Sequence, residues 1–159
     1  MKKVLSLMFS LMMLLSFSTV SFATSYRPDH MKGATIQMGD YSLTLDKVEE
    51  GVVTLDVEGR KTKDFSVEGA ISDKNGTLIA LVNFTGVVYK GFGDWVFRSI
   101  DSSYEIKDNR CTGIVFEHGE TGSSKLVVGL HILFASGAVE RPLIDFVVDS
   151  EGNVEAEWR

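Results

Sequence analysis

The chain has 159 residues, 44% of them hydrophobic, with 22 acidic side chains against 16 basic ones and a net charge of −6. That balance argues against nucleic acid or an anionic membrane as a partner, because both need a basic footprint. A single cysteine, Cys111, rules out an intrachain disulfide.

Met1-Lys2-Lys3 is a positively charged start, followed by an apolar stretch from Val4 to about Phe17 and the small residues Ser21 and Ala23. This order predicts a cleavable signal peptide over residues 1–23. The apolar stretch is interrupted by Ser6, Ser10 and Ser16 and falls short of the roughly 20 residues of a spanning helix. The expected product is exported and soluble, in the periplasm or the medium. An unpaired thiol behind a Lys-Lys leader fits a bacterial source. Removing residues 1–23 takes away Lys2 and Lys3 and no acid, so 136 residues remain and the charge moves from −6 to −8. That is one ordinary domain, able to bury roughly two-thirds of its unfolded surface.

Thr24 to Gly33 is polar and reads as a loose arm, so the domain is expected over residues 34–159. Ala34 to Met38 predicts a short strand. Tyr41, Leu43 and Leu45 alternate with polar residues, and Val53, Leu55 and Val57 repeat the pattern beyond Glu49-Glu50-Gly51. The two stretches predict a half-buried hairpin. Phe65, Val67 and Ile71 continue the alternation across Gly69, a candidate bulge. Asp73-Lys74-Asn75-Gly76 is a turn, since Asn-Gly supplies positive φ cheaply. Thr77 to Thr85, Val87 to Tyr89, Trp95 to Phe97, Tyr104 to Ile106 and Cys111 to Glu117 each predict a strand.

Leu126 to Phe134 is the longest apolar run after the leader and is apolar on both alternating faces, which predicts a central strand covered twice. Leu143 to Val148, the turn at Asp149 to Asn153, and Val154 to Trp158 complete the chain. No window keeps a helical period. About ten short strands with frequent turn signals predict an all-β antiparallel sandwich, with an up-and-down barrel as the alternative.

Four groups of residues bear on chemistry. His30, Met31 and Met38 are copper-type ligands, but no methionine follows Cys111 or His118, as a blue-copper site would need. Glu117-His118-Gly119-Glu120 offers zinc ligand types, but neighbours on a strand point to opposite faces. Ser123, Ser124, His118 and His131 could serve a hydrolase, though no Gly-x-Ser-x-Gly elbow is present. No catalytic residue, metal or cofactor is assigned on these grounds.

The fourth group is Tyr89, Phe92, Asp94 and Trp95, crowded around Gly91 and Gly93. Aromatic side chains on a loop of a rigid β scaffold suit contact with a partner. The sequence therefore predicts a non-catalytic module that binds a protein or a glycan through this loop. The alternative is a carrier of a small apolar ligand with an internal pocket, and a hydrolase comes after that.

Overall fold

The computed structural model describes residues 34–159. The predicted leader (1–23) and arm (24–33) lie outside the described residues. Among the described residues every regular element is a strand: β1 (Thr35–Met38), β2 (Tyr41–Leu45), β3 (Glu49–Glu50), β4 (Thr54–Leu55), β5 (Lys61–Asp73), β6 (Leu78–Lys90), β7 (Trp95–Ile106), β8 (Cys111–His118), β9 (Lys125–Phe134), β10 (Val139–Glu140), β11 (Leu143–Val148) and β12 (Val154–Trp158). They form two antiparallel sheets. The seven-stranded sheet runs β1-β2-β5-β6-β7, with β3 and β4 added along β5; the five-stranded sheet runs β10-β9-β11-β12, with β8 paired to β9.

The predicted sandwich is the observed architecture, but its strands are longer and fewer breaks interrupt them. β5, β6 and β7 hold 13, 13 and 12 residues. Gly86 lies inside β6, opposite Phe65. A Cβ on Gly86 would come within 2.5 Å of the Phe65 ring, so the glycine makes room for an aromatic across the strand pair. Gly69 does the same for Val82, and the β5 bulge falls at Ile71/Ser72 instead. The predicted hairpin of Tyr41–Leu45 with Val53–Val57 does not form. β2 pairs with β1 and β5, and β4 pairs only with β5.

Aromatic side chains from both sheets meet in the middle. Phe84 of β6 contacts Phe146 of β11 and Phe116 of β8, with centroids 5.6 and 5.7 Å apart, and Tyr41 stacks on Phe134 at 4.0 Å. Leu43, Ile79, Leu130, Ile132 and Ile144 fill the space between them and are wholly buried. β9 is central to its sheet, as predicted, but only one of its faces is fully covered. Leu126, Val128, Leu130, Ile132 and Phe134 face the core, whereas Val127 and His131 are half-buried and Leu133 is exposed.

Candidate functional site

The Gly-rich loop is the tip of the β6–β7 hairpin. Lys90 pairs with Trp95, the Gly91 N–H donates to the Asp94 carbonyl, and Gly93 takes a φ of 118° that a side chain would strain. Turn geometry pushes Phe92 outward, and its ring is fully exposed. Asp94 is exposed beside it. Tyr89 is half-buried, with the Arg60 guanidinium 4.9 Å above its ring.

Trp95 corrects the expectation that it joins the contact surface. It is 4% exposed, and its ring lies so close to Gly152 that a Cβ there would approach to 2.6 Å. Trp95 plugs the sandwich where the β11–β12 turn closes over it. Its parity carries the signal: Trp95 lies two residues from Phe97, and both face the core.

Residues 51–60 form a lobe alongside this tip. Across the sheet, Thr54 pairs with Thr62 and Thr62 with Tyr89, which places the lobe and the Phe92 tip at the same sheet end. Asp56 holds the lobe in shape. It accepts the Arg60 and Glu58 N–H groups at 2.9 Å and contacts the Arg60 and Arg98 guanidinium groups at 2.9 and 3.2 Å. The Arg60 backbone hydrogen bond, with the other donors behind it, keeps the Asp56 carboxyl below the usual carboxylate range. Val52, Val53, Leu55 and Val57 of the lobe are exposed, Val57 completely. Their alternation resembles a half-buried strand, but nothing among the described residues covers them.

No protein family, characterised protein or solved structure matches the chain.

The other predicted groups separate. Among the described residues Ser123 and Ser124 do not reach a histidine; Ser102 of β7 does, with its Oγ 2.8 Å from His118 Nε2. Sequence reading missed this pair because it joins strands of different sheets. Among the described residues no carboxylate hydrogen-bonds to His118, so the pair lacks the third group that orients a catalytic base. Glu117 turns to the other face and lies 3.5 Å from His131. No three His, Cys, Asp or Glu side chains come together as a metal site among the described residues. Met38 is buried in the core, and His30 and Met31 lie outside the described residues. Cys111 is buried, and loss of solvent raises its thiol pKa, which leaves it unreactive.

Two further clusters are structural ties. Lys63 bonds Glu50 of its own sheet at 2.6 Å and reaches across to the Gly152 carbonyl of the β11–β12 turn at 3.2 Å. Arg110 bonds Asp73 at 2.7 Å and Asp108 at 2.9 Å, fastening the β5–β6 turn to the start of β8.

Proposed function

We propose that this is an exported, non-catalytic β-sandwich module that binds a protein partner through the end of its seven-stranded sheet. The observation that carries the reading is the pairing of two fully exposed apolar side chains, Phe92 and Val57, on neighbouring turns. Val52, Val53 and Leu55 extend that surface on a lobe that Asp56 and two arginines hold in place. Keeping several large apolar groups in water on a built scaffold is the mark of a contact site. The filled interior favours a module over a carrier. Phe92 is the one ring of the loop offered to solvent, which favours a protein over a stacked sugar.

The test is a Val57→Asp, Phe92→Asp double variant. Its unfolding free energy should stay within about 1 kcal/mol of the parent, as for exposed positions away from packing. Complexes recovered with the parent protein from its own host should be lost with the variant and kept with Asn83→Asp, an exposed control on β6. Retention of the same complexes by the double variant would remove this surface from consideration.

A further inference from the structure

A second surface lies along the edge of β12. The cleft between this strand and residues 46–50 has a volume of about 750 Å³ and is lined by Asp46, Val48, Glu155, Ala156 and Glu157, among others. Two strand margins border it. The β1 strand covers the margin of β2, and among the described residues no strand covers residues 46–50 on that side. Opposite, β12 is the last strand of its sheet among the described residues.

Hydrogen bonding fixes which groups β12 offers. Arg159 donates its N–H to the Leu143 carbonyl, and Asp149 donates its N–H to the Asn153 carbonyl. In an antiparallel pair such bonds recur at every second residue, so residues 153, 155, 157 and 159 are turned to β11. The Val154 and Ala156 carbonyls and the Ala156 and Trp158 N–H groups are therefore turned away from β11, along the margin that borders the cleft. The Val154 N–H lies on that margin too and is already capped by the Glu50 carboxylate. Val48 and Ala156 give the cleft an apolar floor packed on the core. Asp46, Glu155 and Glu157 outnumber Lys47 around its rim.

We infer that this cleft takes an extended, basic peptide of a partner protein as an added strand on β12. An unpaired edge is a template for main-chain pairing, and pockets for alternate side chains supply selectivity. Here the apolar floor accepts one set of alternate residues, and the acidic rim attracts positive charge on the other set. The opposite edge of the larger sheet is less available, because at Phe97 it is closed by bonds with Gly122 and Ser123. This site is separate from the Phe92 surface, and either one stands if the other fails.

The probe is an alternating lysine–valine peptide of about eight residues, long enough to run the length of β12. It is titrated into the isotopically labelled chain from Thr24 onward and followed by amide resonances. Saturable shifts should centre on Val48, Ala156 and Trp158. Ala156→Pro removes an outward N–H without touching a bond to β11, and it should weaken binding about tenfold or more. Should that variant misfold, the same peptide N-methylated at alternate residues keeps its charge and should lose binding to a similar extent. Equal affinity for the methylated peptide overturns the inference, because attraction would then be purely electrostatic. Shifts confined to other acidic positions, such as Asp64 and Asp101, also overturn it. So does binding that appears only after residues 24–33 are removed, since the chain's own segment would then be the occupant.

Discussion

Trp95→Ala separates a core plug from a contact aromatic. The ring is 4% exposed and packs on the backbone of Gly152, so truncation opens a cavity at the point where the β11–β12 turn closes over the sandwich. Buried Trp or Phe truncations cost about 3–5 kcal/mol, the loss of transfer free energy adding to an unfilled void. The upper half of that range is expected, because Gly152 also accepts from Lys63, and loosening the turn weakens that tie. A domain of this size is stable by about 5–15 kcal/mol, so the variant loses a large fraction of its stability and its urea midpoint falls sharply. Equilibrium unfolding followed by far-ultraviolet circular dichroism measures the loss. In a Trp158→Phe background, Trp95 should emit to the blue and resist iodide. A cost below about 1 kcal/mol together with an iodide-quenched emission would refute the packing argument.

Gly152→Ala should destabilise by more than about 1 kcal/mol, because the site has a φ of 87° and a Cβ there meets Trp95; urea midpoints report it. Leu43→Ala and Leu130→Ala should each cost about 2–5 kcal/mol, since both side chains are wholly buried; a large gap between them in urea unfolding would contradict their shared core position. The Arg110 guanidinium, followed by the Thr77 N–H, holds the Asp73 carboxyl at about 2, below its ordinary 3.8. Its folded-state pKa is depressed, so this stabilisation is present above pH 3.8 and is lost as pH falls through about 2. Asp73→Asn should flatten the acid side of a plot of unfolding midpoint against pH. Cys111 should react with a thiol reagent only as fast as the protein unfolds, which stopped reactions in and out of urea will reveal.

Periodicity made the fold class readable, because period-two alternation and turn residues recur through the domain. Strand length was less readable: Gly69 and Gly86 look like breaks in sequence, yet each makes room for a side chain on the next strand. Alternation also says which residues share a face without saying whether anything covers it. Val53, Leu55 and Val57 alternate in sequence, yet all three are exposed around a two-residue strand. The second apolar face of β9 is likewise only partly covered. Of the four residues predicted as a site, Phe92 and Asp94 are exposed, Tyr89 lies under Arg60, and Trp95 is in the core. The lobe that lies beside Phe92 follows from strand pairings between residues distant in sequence. So does the Lys63–Glu50 contact, whereas Ser102 and His118 meet across the two sheets.

The claim of a contact surface at the sheet end is tested most directly by site-specific photo-crosslinking in the protein's own host. A photoreactive phenylalanine analogue placed separately at Phe92, Val57 and the control position Asn83 reads the immediate neighbours of each side chain. The account predicts an adduct with the same protein from positions 57 and 92, none from 83, and loss of the adduct at 92 when Leu55→Asp is added. Different adducts from 57 and 92, an equal yield from 83, or no adduct at either turn would contradict it.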